Sequence, residues 1–236
     1  MNCSKQYYVV LDFEANCTAE QKHDHEIIEF PAILVEANTG NIVSEFRTFV
    51  TTIKTGNVSK FIRELTHITD EDLHKHGVVW SKQMTGLPED GALELFEKWC
   101  NDNKISSKNT TMITCGDWDL KTMLPRQLLI SNTLLKNDLQ KLFGAWNNVK
   151  KSYAKYHKLK RKMGMAAMLK DSNIELVGHH HSGIDDTRNI AKICHRLVQL
   201  GVDITQPNTM LEQRYIGQYK LMYRRTKRGK IEPIDG

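Results

Sequence analysis

Asp12 and Glu14 stand two residues apart in the stretch YYVVLDFEA, and on a strand that spacing sends both carboxylates out of the same face. Two such groups repel each other unless a cation lies between them, and hard carboxylate oxygens suit Mg²⁺ or Mn²⁺. Acid pairs at strand ends are common on protein surfaces. Here the aromatic and β-branched residues that precede the pair predict a buried strand, which gives it more weight.

A second concentration of reactive side chains lies in GHHHSGIDDTRNIAKICHRLVQLG, residues 178 to 201, where three histidines and two aspartates leave open which of each matters. Ile190, Ile193 and Leu197 recur at helical spacing, and counting back four from Ile190 reaches Asp186. Asp186 is therefore expected to project toward the buried face. A carboxylate there costs several kcal/mol unless a metal or a buried donor meets it. Asp185 falls in line with Asn189, Lys192 and Arg196 and is expected to face water, as an acid at a helix N-terminus. Gly201 fits a helix-ending glycine. Asp119, after MITCGDW, sits at a predicted helix start, where an acid can simply satisfy free amides; Asp117 competes for the same role, and spacing does not choose between them.

The elements that must position these groups follow from pattern. YYVVLDFEA reads as one strand, and EIIEFPAILVEANTGNIVSEFRTFV as an antiparallel hairpin turning at Asn38 to Asn41. SKFIREL, TDEDLHKHG and PEDGALELFEKWC read as helices. TTMITCG reads as a strand leading into a helix from about Trp118 to Leu129, and NDLQKLFGAW and GMAAMLK as further helices before the last one. A strand meander followed by strands alternating with helices predicts a mixed sheet flanked by helices.

Length and composition set the bounds. The 236 residues suffice for one sizeable domain. Five scattered cysteines without a C-x-x-C pair suggest neither a disulfide framework nor a cysteine zinc site, so a reducing compartment, cytoplasm or nucleus, is expected. Neither a signal peptide nor a membrane span is read. Charge is uneven: residues 150 to 162 hold seven Lys or Arg and no acid, and residues 214 to 230 hold seven and none. Removing these fourteen charges from the net +5 leaves −9 for the rest. An acidic body with two basic, tyrosine-containing segments points to a polyanion partner, with Lys and Arg on phosphates and Tyr on bases. For the tail, the competing expectation docks Tyr215, Ile216, Tyr219, Leu221 and Tyr223 on the domain as apolar residues.

Taken in order, DFE on the first strand, WDL at a mid-chain helix start and HSGIDD before the last helix resemble the DEDDh 3′→5′ exonuclease family. They resemble most its exoribonuclease branch, which trims small interfering RNA, histone mRNA ends and ribosomal RNA. The likeness runs from residue 7 to about 200 and rests also on EIIEFPA, LTHIT and SGIDDTRNIAKI. It puts the family's four acids on Asp12, Glu14, Asp119 and Asp186, and its histidine, five residues before the last acid, on His181. The superfamily's tyrosine variant carries Tyr four residues before that acid, where this chain has Ser182.

What the resemblance implies is an α/β ribonuclease H-like fold whose four carboxylates hold two divalent ions, Mg²⁺ or Mn²⁺, about 4 Å apart. His181 would be the general base, and the product a nucleoside 5′-monophosphate. Trp118 would stack on a terminal base, with Phe13, Leu65 and Thr66 lining the nucleotide pocket; His179 and His180 receive no task. The expected layout is an exonuclease domain over residues 1–204 and a basic extension over 205–236. The expected partner is RNA with a free 3′ end, DNA being the alternative, and the expected state a monomer. Two other readings stand beside it: a DNA-directed 3′→5′ exonuclease, and a catalytically silent nucleic-acid-binding module on the same fold.

Overall fold

The computed structural model describes residues 5–17, 25–84, 86, 88–211, 223–226, 229 and 231–233. The tail residues Arg214, Tyr215, Ile216, Tyr219, Lys220, Leu221, Lys227, Arg228 and Lys230 lie outside them, as does the side chain of Tyr223.

The central strand β1 (Tyr7–Leu11) runs antiparallel to β3 (Glu26–Glu36) and parallel to β6 (Thr110–Thr114). Outward from β3 lie β4 (Ile42–Val50), antiparallel to it, and then β5 (Gly77–Val78), parallel to β4. Outward from β6 lie β7 (Ala145–Asn148), parallel, and β8 (Thr209–Met210), antiparallel to β7. Alternation along β1 supplies both faces of the sheet. Val9 and Leu11 pack with Phe30, Phe96, Met112 and Trp146 beneath α3 (Ala92–Asp102), α4 (Leu124–Ile130) and α5 (Asn137–Phe143). Tyr8 and Val10 pack with Ile33 and Ile113 beneath α6 (Val149–Tyr156), α7 (Met165–Asp171) and α8 (Gly183–Gln199). The predicted mixed sheet flanked by helices is the observed architecture.

Three local departures from the sequence reading have physical causes. YYVVLDFEA is not one unbroken strand: β1 ends at Leu11, and β2 (Glu14–Asn16) takes up the pairing with β3 after a break at Asp12 and Phe13. β1 pairs with residues 32–36 of β3 and β2 with residues 26–29, so the break faces Phe30 and Pro31, and Pro31 has no N–H to offer a ladder. The helix expected from Trp118 opens as a π-turn, Asp119–Met123, closed by the Leu124 N–H on the Asp119 carbonyl, before α4; Pro125, near the start of α4, has no N–H to offer the Lys121 carbonyl and its ring crowds that carbonyl. The AW of NDLQKLFGAW belongs to β7, buried throughout and too short to show a period. β8 lies beyond residue 204, so the sheet continues into the segment assigned to the basic extension, and Ile231 further along is buried with Ala145.

Candidate active site

The break between β1 and β2 leaves the Phe13 N–H without a strand partner, and it donates to Asp119 Oδ1 at 3.0 Å. That bond joins the first π-turn residue to the end of the central strand and fixes Asp119, only 4% exposed, against the sheet. Asp117, the competing acid, turns away: it accepts from Asn148 Nδ2 at 2.6 Å and pairs with Lys151 at 2.9 Å.

Asp186 enters from the first turn of α8 and is 3% exposed, as helical phase predicts. The helix reaches the sheet because residue 183 is glycine. A Cβ there would lie 2.8 Å from Pro31 Cγ, 3.0 Å from the Asp12 carbonyl and 3.0 Å from Glu29 Oε2. The Gly183 N–H donates to Glu29 Oε2 at 3.1 Å, and Glu29 pairs with Arg47 at 2.6 Å. Arg188 reaches the other way, with Nε on Glu45 Oε1 at 2.9 Å and Nη2 on Glu45 Oε2 at 2.6 Å, and so ties α8 to β4.

One oxygen from each of Asp12, Glu14 and Asp186 comes within 4.8 Å of the others. Burial pushes the Asp12 carboxyl well above its usual range, and the neighbouring Asp119 and Asp186 push it further. Burial and the charge of Asp12 push Glu14 up to about 10. Asp119 is pushed up to about 6 by burial, against the pull of the Phe13 N–H. Lys150, at the start of α6, offsets part of the charge on Asp12 and Asp119. Converging carboxylates that resist ionising are the donor set of a hard divalent cation, so the residues present fit such an ion. Divalent metal ions are also what the resemblance to the DEDDh exonucleases implies.

The histidine run folds over Asp186. His181, in the left-handed region at φ 75, donates its backbone N–H to Asp186 Oδ2 at 3.0 Å. His180 Nδ1 lies 3.0 Å from the same oxygen. The rings of His180 and His181 stack at 3.9 Å, and His180, His181 and Asp186 bring their ligand atoms within 4.8 Å of one another. His181 is half-buried, and burial together with the His180 charge lowers its pKa below 6.5.

The predicted nucleotide contacts divide. Trp118 is 39% exposed beside Asp119, whereas the Phe13 ring is buried 4.9 Å from that of Phe30 and serves the site through its backbone. Leu65 is half-buried; Thr66 is buried, its hydroxyl donating to the Ile62 carbonyl. Within LTHIT the residue that meets the histidine run is His67, the left-handed cap of α1 (Lys60–Thr66), whose ring lies 3.9 Å from that of His179, tilted at 36° to it.

Asp185 is half-buried rather than open to water: it accepts from the His179 N–H at 3.1 Å and from Arg188 at 3.0 Å. Asn189, also expected to face water, is fully buried and grips both backbone groups of Val177. An N-terminal helix turn lying under a loop buries its outer face as well. Sequence reasoning therefore missed Glu29, His67, His180, Lys150 and the anchoring roles of Asp185 and Asn189. Only Glu29 left a signal, as an acid inside the apolar run EIIEFPAILV.

Residues 9–194 match the model of the exonuclease family RNase_T. The chain is 34% identical over 198 residues to ERI1 exoribonuclease 3 of Homo sapiens, covering 83% of this chain and 54% of that protein. It is 29% identical over 202 residues to 3′-5′ exoribonuclease 1 of Mus musculus, covering 84% and 54%. The chain thus spans about half the length of these relatives. Its fold is similar to the nuclease domain of 3′hExo, a DEDDh family member solved bound to rAMP: TM-score 0.77, 26% identity, 89% of this chain and 100% of that one.

Proposed function

Since this chain belongs to the RNase_T exonuclease family, we propose that it is a 3′→5′ exoribonuclease releasing nucleoside 5′-monophosphates from a free 3′ end. The observation that carries the reading is the meeting of Asp12, Glu14 and Asp186 within 4.8 Å, one hydrogen-bonded step from Asp119. Two Mg²⁺ or Mn²⁺ ions held by these four acids would supply an activated water and neutralise charge on the scissile phosphate. His181 is the general base: its depressed pKa keeps the imidazole neutral and ready to take the water's proton. His180 holds Asp186, and Asp185 holds the loop that carries both histidines. Lys150 balances the acids, and Trp118, exposed beside Asp119, stacks on the terminal base.

RNA rather than DNA is supported by the exoribonuclease names of the relatives, and all four acids and the histidine argue against a silent binding module. The four described cysteines are free thiols, which supports a cytoplasmic or nuclear setting, and we take the working unit to be a monomer. Purified protein incubated with Mg²⁺ and matched 5′-labelled RNA and DNA strands should give a ladder shortening from the 3′ end, on RNA in preference, with 5′-mononucleotides in the supernatant. Internal cuts, or no cleavage under Mg²⁺ or Mn²⁺, would overturn the assignment.

A further inference from the structure

Residues of the two basic segments, which are separated by more than fifty residues in sequence, line one cleft in the fold. A cleft of about 590 Å³ opens between α6 and the chain that follows α8, and its walls include Lys151, Lys155 and Tyr156 from one segment and Arg225 from the other. The floor is fixed by buried amides: Asn208 Nδ2 donates to Asn147 Oδ1 at 3.1 Å and to the Asn148 carbonyl at 3.1 Å. Asn147 Nδ2 donates to the Gln206 carbonyl at 2.9 Å. Arg225 is exposed, and among the described residues its guanidinium donates to the backbone carbonyls of Gly229 and Asn208. Lys155 is exposed with no acidic partner among the described residues, and Tyr156 is 41% exposed. The acid that lines the cleft, Asp203, is turned to Thr205.

Helix α6 joins the cleft to the neighbourhood of the carboxylate site. Asn148 caps that helix and accepts the Lys150 N–H while its amide grips Asp117, two residues before Asp119. Lys150 Nζ stands at the Gly116 turn, 3.8 Å from where a Cβ of residue 116 would be. Lys155 lies about 6 Å further along the axis than Lys151, on the same side of the helix. A strand whose 3′ end sits at the acids and whose backbone follows α6 would therefore pass from Lys150 and the Asp117-held Lys151 to Lys155, which has no acidic partner among the described residues, and to an exposed aromatic face, the chemistry that single-stranded nucleic acid requires.

Resting on the exoribonuclease reading, we propose that this cleft is an exosite for the phosphate backbone of single-stranded RNA upstream of the terminal nucleotide, built jointly by α6 and Arg225. It sets affinity for long strands and takes no part in bond cleavage.

The test compares wild type with the double variant Lys155→Ala/Arg225→Ala and with Tyr156→Ala. Fluorescence anisotropy with labelled single-stranded RNA, in Ca²⁺ to suppress turnover, should show the slope of log affinity against log salt falling by about 1.4 in the double variant, roughly 0.7 per phosphate contact. KM for long RNA should rise by about tenfold with kcat unchanged, and turnover of a dinucleotide should stay at the wild-type value. Tyr156→Ala should weaken binding at every salt concentration without altering the slope, and Tyr156→Phe should restore it. All three side chains are exposed, so melting temperatures are expected to match wild type; the single variant Lys155→Gln, whose slope should fall by about 0.7, guards against a folding artefact. An unchanged salt slope and KM would overturn the exosite. So would displacement of the RNA by polyglutamate as readily as by unlabelled RNA, which would mark a general anion surface. Because the binding arm needs no hydrolysis, a protein that binds RNA through the cleft and cuts nothing would sink the enzymatic reading alone.

Discussion

Neutralising a site carboxylate has two effects of opposite sign. Asp12→Asn, Glu14→Gln, Asp119→Asn and Asp186→Asn should each remove nearly all hydrolysis. In metal-free buffer Asp12→Asn and Glu14→Gln should melt higher than wild type, because both groups resist ionising where they are buried. For a chain of this size each kcal/mol relieved is worth about 2–4 °C, so differential scanning calorimetry without metal checks it, and a lower melting point would refute the electrostatic account. Asp185→Ala should cut kcat severalfold and leave the metal requirement unchanged, since it frees the His179 backbone and Arg188 but no member of the acid cluster. With metal saturating, the acid limb of kcat should fall below pH 6.5 and vanish in His181→Ala. Asp186 was legible because a buried helical stripe fixes phase over seventeen residues. The choice between Asp117 and Asp119 was not, since it turns on Asn148 and Lys151, about thirty residues away. His180 escaped notice for a related reason: a left-handed residue at His181 folds the loop back, and no periodicity forecasts that.

Elements were legible where a period had room to repeat. The hairpin of β3 and β4 and the helices α3 and α8 lie where alternation and helical spacing put them, and short strands such as β5, β7 and β8 were lost because two to four residues carry no period. What the pattern cannot express is how close two elements come. Gly183 carries that information: Gly183→Ala should push the start of α8 off Pro31 and Glu29, costing about 1–3 kcal/mol of stability. Activity should fall by far more than stability, because Asp186 retracts with the helix. Calorimetry and initial rates on the same sample separate the two; full activity in a destabilised Gly183→Ala protein would show that the close approach is not what seats Asp186.

At the scale of the whole molecule, the site acids should contribute a pH dependence of stability opposite to that of ordinary paired acids such as Glu45 and Asp117. Folding raises the pKa values of Asp12, Glu14 and Asp119, so between their unfolded values near 4 and the folded ones the native state keeps protons that the unfolded chain has lost, and their contribution to stability falls as pH rises. The window extends through about 6 for Asp119 and toward about 10 for Glu14. Divalent cations should therefore raise the melting temperature more at about pH 8 than at about pH 5.5. A metal effect equal at both pH values would mean that the acids are not the ligands. The charge map of the sequence located both basic segments, and their meeting in one cleft depends on the chain returning past α8 to β8, which composition cannot disclose.

Gly183 meets Glu29 across 154 residues of chain, and Asp12, Asp119 and Asp186 are likewise spread along its length. Contacts of such long range form late, after the loops between them have closed. On the ribosome, β1, β3 and β6 can assemble while α8 is still unmade, and the nascent chain then displays three of the four acids without the fourth or the histidines. A domain of the exonuclease family is thus synthesised with its acid cluster incomplete. The site is complete only when the last helix docks and brings Asp186 and the histidine run to the other three acids.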